Sequence, residues 1–167
     1  LAAGTGADKD LMAGTVAHEF TLSTLPFTEP WAGTDPVTAL VDGGVPSATA
    51  TAYVASHPEL ASTALVCGQL GTDFMFRIPV LRLVEAQGSN GQPAFNYLFS
   101  WESPAIKGAL GSCHTLEIGF VFGNCDPSFC GKGPEVEALS RKIRDAWTAF
   151  ARTGDPSCES LGTWRPY

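Results

Sequence analysis

Four aromatic residues at every second position, Phe95, Tyr97, Phe99 and Trp101, constrain this chain more than any other feature. Asn96, Leu98 and Ser100 separate them. Period two is the repeat of a β-strand, whose successive side chains point to opposite faces. Large rings dominate protein cores, so the row reads as a core strand rather than as a pocket wall. The turn signal Gly88-Ser89-Asn90-Gly91-Gln92-Pro93 precedes it, and Ser103-Pro104 marks its expected end. Farther along, Leu139, Ile143, Trp147 and Phe150 fall on one helical face, with Arg141, Lys142, Arg144 and Asp145 largely elsewhere. Pro134 suits the start of that helix, where its missing N–H costs nothing. Gly154-Asp155-Pro156 stops it.

The remaining segments are less marked. Leu11-Met12-Ala13-Gly14 reads as a short buried strand ended by its glycine. Residues 26–50 carry Pro26, Pro30, Pro36 and Pro46, which predicts mostly connection. From Leu60 to Glu85 the spacing of Leu65, Leu70, Phe74, Leu81 and Val84 is helical, and Pro79 interrupts it. Proline removes a helix donor and clashes with the preceding turn, so two helical pieces or one kinked helix are expected. A Gly/Ser-rich loop leads to His114, and the apolar patch from Leu116 to Phe122 follows. The aromatic tail Trp164-Arg165-Pro166-Tyr167 should pack on something.

Length alone suggests one domain with a sizeable core. The charge content qualifies that suggestion. Ten Lys+Arg and seventeen Asp+Glu make 16% of 167 residues, against about 25% in ordinary soluble domains. Either other groups cover the surface or much of the surface does not face solvent. An apolar fraction of 44% argues against disorder, and no apolar run is long enough for a membrane span. A net charge of −7 without a Lys/Arg cluster disfavours nucleic acid and anionic membranes as partners. The chain opens Leu1-Ala2-Ala3-Gly4, unlike a complete gene product or a signal peptide, and both cytoplasmic and secreted settings stay open. Five cysteines cannot all pair within one chain. Only Cys125 and Cys130 lie close together, and no second ligand pair accompanies them, so no metal is expected. A local disulfide and two free thiols are both open there.

Of the three histidines, His57 precedes Pro58 in a polar connection. His18 follows the first predicted strand, and His114 ends the small-residue loop Gly108-Ala109-Leu110-Gly111-Ser112-Cys113. Such a loop can present a side chain at a strand's C-terminal end, the edge where open α/β sheets bind ligands.

The segment Gly111-Ser112-Cys113-His114-Thr115-Leu116-Glu117-Ile118-Gly119-Phe120-Val121-Phe122-Gly123 strongly resembles the histidine motif of type-B carboxylesterases, the cholinesterase and para-nitrobenzyl esterase family. That pattern is a small residue, the catalytic His, two residues, Glu, and an apolar run ending Phe-Gly. Tyr97-Leu98-Phe99-Ser100-Trp101 is similar to the aromatic strand before that motif. Asp73, Phe76 and Pro79 keep the spacing of the family's helical segment. Trp147-Thr148-Ala149-Phe150-Ala151-Arg152-Thr153-Gly154-Asp155-Pro156 and Trp164-Arg165-Pro166-Tyr167 resemble its C-terminal helix and tail. Upstream, Leu11-Met12-Ala13-Gly14-Thr15-Val16-Ala17-His18-Glu19-Phe20 resembles the strand and turn that deliver the acidic triad member. In the family an Asp precedes the acid and a Gly follows it. Here His18 and Phe20 take those flanks, and Glu19 falls on the acid's position.

The resemblance implies an α/β fold: the last strands of an α/β-hydrolase sheet with flanking helices, incomplete on its own. It implies that residues 1–167 are the C-terminal segment of one larger catalytic domain. It also implies carboxylic ester hydrolysis without a cofactor, with His114 as general base and Glu19 as the group that orients it. In α/β-hydrolases the chain order is nucleophile, acid, histidine, which Glu19 and His114 obey. The nucleophile elbow Gly-x-Ser-x-Gly is absent from this chain. Elbow and oxyanion hole are therefore expected upstream, on a missing N-terminal portion that would be this chain's partner, together with a small-molecule ester. Glu117 has two readings: a carboxylate that hydrogen-bonds around the loop and fixes the histidine, or one favoured by the dipole of the following helix. Phe20, Leu22, Phe74, Met75 and Phe76 are candidates for the substrate pocket. The competing reading is a catalytically inactive cholinesterase-like binding or adhesion module.

Overall fold

The computed structural model describes residues 3–25 and 31–167. Leu1, Ala2 and the part of the expected connection at residues 26–30 lie outside the described residues. Two strands form a parallel pair: β1, Leu11–Val16, and β2, Ala94–Phe99, in register from Leu11 opposite Ala94 to Val16 opposite Phe99. A parallel pair needs a crossover, and helices fill this one. They are α1 (Thr21–Thr24), α2 (Pro36–Asp42), α3 (Ser47–Ser56), α4 (Thr63–Thr72) and α5 (Ile78–Ser89). A 3₁₀ turn at Ala105–Gly108, then α6 (Leu116–Phe122) and α7 (Pro134–Thr153), follow β2. No helix is long and apolar enough to cross a membrane among the described residues.

Three sequence expectations are corrected. Residues 36–50 are not mostly connection, because their prolines open helices instead of breaking them. Pro36 sits in the first turn of α2, where the Asp35 carboxylate accepts from the Thr38 N–H at 2.9 Å, and Pro46 immediately precedes α3. β1 does not end at Gly14 but runs on to Val16. Gly14 is needed for contact: a Cβ there would lie 2.3 Å from Cγ of the Tyr97 ring opposite. The aromatic strand ends at Phe99 rather than at Ser103-Pro104, because β1 stops at Val16, its partner. Trp101 lies beyond the ladder and donates its indole N–H to the Cys130 carbonyl at 2.9 Å. The apolar patch Leu116 to Phe122 is helical.

The Pro79 interruption takes the form of a π-helical turn, Asp73–Arg77, between α4 and α5. The Ile78 N–H reaches back to the Asp73 carbonyl across this wide turn, and Pro79 follows at the start of α5, where no donor is missed.

The aromatic row does pack as core. Phe95 meets Phe150 and Tyr97 meets Trp147 from α7, with ring centroids 6.2 and 5.0 Å apart. Phe99 meets Phe120 of α6 at 5.2 Å. Phe99 and Phe120 belong to one buried cluster with Val16, Leu110, Cys113, Leu116 and Val136. Leu40, Ala50 and Val66 form a second cluster among the crossover helices. The tail packs as expected, Trp164 against Trp147 at 6.4 Å.

Candidate active site

The site forms where both strands end. Past Val16 the chain stays tied to β2: the Ala17 N–H donates to the Phe99 carbonyl at 2.9 Å. One residue later it turns to the loop that carries His114. The His18 N–H donates to the Ser112 carbonyl at 2.9 Å, and His18 pairs with Cys113 in a parallel bridge. Ser112 in turn donates its hydroxyl to the Phe99 carbonyl at 2.8 Å. A single parallel bridge thus ties the histidine loop to the chain just past β1, at the C-terminal edge of the sheet that the loop composition pointed to.

Glu19 and His114 meet there. The His114 Nδ1 and a Glu19 carboxylate oxygen are 2.5 Å apart. The other Glu19 oxygen accepts the Val16 N–H at 3.0 Å. Glu19 is 8% exposed, so both oxygens are fixed in a desolvated setting. A carboxylate only accepts, so Nδ1 donates and the neutral ring presents Nε2 as its acceptor. The His114 side chain keeps 51% of its exposure, on the outer side of this pair. Thr115, next in the chain, is held at φ +70, an uncommon conformation for a β-branched residue. Leu116 is wholly buried and anchors α6 directly after it.

Aromatic rings and the π-helical turn back the pair. Phe76 lies 5.5 Å from the His114 ring, and Phe20 lies edge-on to Phe76 at 6.0 Å. A Cβ on Gly71 would come within 2.8 Å of the Phe20 ring, so glycine lets α4 approach it. Asp73 accepts from Tyr53 at 2.7 Å and from Gln69 at 3.0 Å, and pairs with Arg77 at 3.0 Å. Arg77 also donates to the Ala17 carbonyl at 3.1 Å, so the turn is bolted to the loop that carries Glu19. Burial, then the bond to Asp73, push the Tyr53 hydroxyl well above its ordinary range.

Of the residues named from sequence, Glu19, His114, Phe20 and Phe76 come together. Phe20, Phe74 and Met75 line a neighbouring cavity of about 630 Å³, with Leu40, Val45 and Leu70 among its other walls. Phe74 and Met75 are largely exposed. Leu22 is exposed on α1 and does not line that cavity. Glu117 occupies the first turn of α6, as the helix-dipole reading has it. Its Oε2 is buried without a hydrogen-bond partner among the described residues. Burial, and then the charge of Glu19, raise its carboxyl above the usual range. Sequence reasoning missed His18, Tyr53 and Arg77. Tyr53 acts on Asp73 twenty residues away, and His18 and Arg77 act on backbone groups distant in sequence, so no local signal named their roles. Cys125 and Cys130 are free thiols, and burial, then the neighbouring Cys125, push the Cys130 thiol up to about 12. No cluster of three or more metal-ligating side chains occurs among the described residues.

Comparison with known proteins gives one family. The carboxylesterase family model matches residues 44–167. Phenmedipham hydrolase of Pseudarthrobacter oxydans is 33% identical over 121 residues, 69% of this chain and 24% of that protein. Para-nitrobenzyl esterase of Bacillus subtilis is 37% identical over 102 residues, 58% of this chain and 20% of that protein. A solved carboxylesterase of Geobacillus stearothermophilus superposes on 99% of this chain and 36% of its own, with TM-score 0.80 and 29% identity. A solved PNB esterase does so over 99% and 33%, with TM-score 0.70 and 28% identity. The architecture is that of an α/β-hydrolase, and the chain spans a quarter or less of the length of these two curated relatives.

Proposed function

Because the chain belongs to the carboxylesterase family, we propose that the protein hydrolyses carboxylic esters, with His114 and Glu19 as two members of a Ser-His-Glu triad. The observation that carries this reading is the 2.5 Å contact between a buried carboxylate and Nδ1 of a half-exposed histidine at the sheet's C-terminal edge.

The serine comes from an upstream portion of the same catalytic domain. His114 Nε2 takes the serine proton as Oγ attacks the ester carbonyl, and returns it to the departing alcohol. A water then repeats the sequence on the acyl-enzyme. Glu19 holds the tautomer and favours the imidazolium that forms. Three observations support an incomplete domain. Parallel sheets occur almost only where both faces are covered, yet Leu98 of β2 is 55% exposed. Phe74 and Phe122 are 73% and 74% exposed, and such apolar surface is expected to abut the upstream portion. The unpartnered buried Glu117 oxygen needs a donor, which that portion would supply.

The test is turnover of para-nitrophenyl esters by the protein with its upstream portion, by the isolated 1–167 fragment, and by His114→Ala. Only the first is expected to be active. Full activity of His114→Ala would contradict the reading, and absence of turnover by the protein with its upstream portion would favour the inactive binding module. Robust turnover by the fragment alone would contradict the missing serine.

A further inference from the structure

His18 takes no part in the Glu19–His114 pair, yet it grips the loop that carries His114. Its N–H donates to the Ser112 carbonyl at 2.9 Å, and its Nδ1 accepts the Ser112 N–H at 2.9 Å. A single residue therefore holds both backbone polar groups of Ser112, two positions before His114. The ring also lies over Gly111, whose φ is +57 and where a Cβ would sit 2.4 Å from Nδ1. Only glycine leaves room for this approach. On its other side His18 is followed directly by Glu19, which bonds His114 itself.

We infer that His18 is a positioning residue whose neutral ring, protonated at Nε2, clamps the His114 loop in register with Glu19. The inference rests on the ester-hydrolysis reading above. The chemistry of the clamp requires one protonation state. A protonated ring carries hydrogen on Nδ1, which would face the Ser112 N–H, and two donors cannot bond. Burial holds the His18 ring below the ordinary histidine range, Glu102 acts against that, and Arg77 adds to it. Glu19, next in the chain, is committed to His114 and Val16. Since the folded value is lowered, the neutral clamp is fully present above about pH 6.5 and is lost only as pH falls through that lowered folded value.

The experiment compares kcat and KM against pH for the enzyme with its upstream portion, using para-nitrophenyl acetate. The variants are His18→Ala, His18→Asn and His114→Ala. Asparagine offers an acceptor near the Nδ1 position and does not titrate. His18→Ala is expected to lower kcat about tenfold at neutral pH with KM little changed, the size of one lost hydrogen bond. His18→Asn is expected to restore most of that kcat and to leave a shallower acid limb. Amide exchange at Ser112 should quicken in His18→Ala and stay near the parent rate in His18→Asn. Unchanged kcat and exchange in His18→Ala would overturn the inference, as would a His18→Asn enzyme tenfold slow at neutral pH. If His18→Ala does not fold, the His18→Asn profile alone decides between these outcomes. Retained activity in His114→Ala would instead sink the hydrolysis reading, whatever His18 does.

Discussion

Replacing Glu19 by glutamine probes the site with almost no change in shape. Glu19 faces two donors at once, His114 Nδ1 at 2.5 Å and the Val16 N–H at 3.0 Å. A carboxylate satisfies both, whereas an amide has one acceptor end and one donor end. If the amide oxygen keeps Val16, the amide N–H faces Nδ1 and drives the ring proton to Nε2. The atom that should accept the serine proton is then already protonated. If the oxygen keeps His114, the amide N–H opposes the Val16 N–H, at a cost of about 1–3 kcal/mol for a buried donor left unpaired. The wrong tautomer is thus the favoured state. The charge that would stabilise the imidazolium is gone in either case. An equivalent acid-to-amide change in a serine-histidine-acid triad lowers kcat about 10⁴-fold, or about 5.4 kcal/mol at 1.36 kcal/mol per factor of ten. The assay is kcat for para-nitrophenyl acetate hydrolysis, with circular dichroism to show that the variant is folded. A folded Glu19→Gln enzyme within tenfold of the parent would refute the reasoning.

Two further outcomes follow from packing and burial. Gly14→Ala places a Cβ 2.3 Å from a Tyr97 ring that also packs against Trp147, so the strands must part or the ring must move. Overpacking of this kind costs about 1–3 kcal/mol, and the denaturation midpoint should drop accordingly; an unchanged midpoint would mean that the β1–β2 contact is looser than described. In residues 1–167 without the upstream donor, burial raises the Glu117 carboxyl above its usual range, so its ionised form weakens the fold. Stability should fall as pH rises from the unfolded value of about 4.3 through the raised folded value. Glu117→Gln removes that slope, so its melting temperature should exceed the parent's by a margin that widens over this range. A constant margin would count against a perturbed Glu117.

The strongest sequence signals were those read from side-chain periodicity. The alternating rings of β2 and the apolar face of α7 are legible because side chains at those spacings meet in the core, as Phe95 does Phe150 and Tyr97 does Trp147. Boundaries were less legible. Where β2 ends depends on Val16, which lies far upstream, and no local signal near Trp101 reports it. Prolines 36 and 46 read as connection because proline opens helices and interrupts chains alike; the Asp35 cap marks the helix start at Pro36, and Pro46 has no such side-chain cap. Glu19 and His114 were legible through motifs, but the clamp by His18 was not. The backbone of Ser112 is its partner, and backbone groups leave no mark on a sequence.

The central claim is that His114 and Glu19 activate a serine lying outside residues 1–167. A fluorophosphonate, which forms a covalent bond to an activated serine oxygen, tests it most directly when the protein with its upstream portion is labelled and then mapped by peptide mass spectrometry. The account predicts one modified serine, in an upstream Gly-x-Ser-x-Gly segment, with labelling lost in His114→Ala and strongly slowed in Glu19→Gln. Modification of a serine within residues 1–167, or labelling that proceeds undiminished without His114, would contradict it.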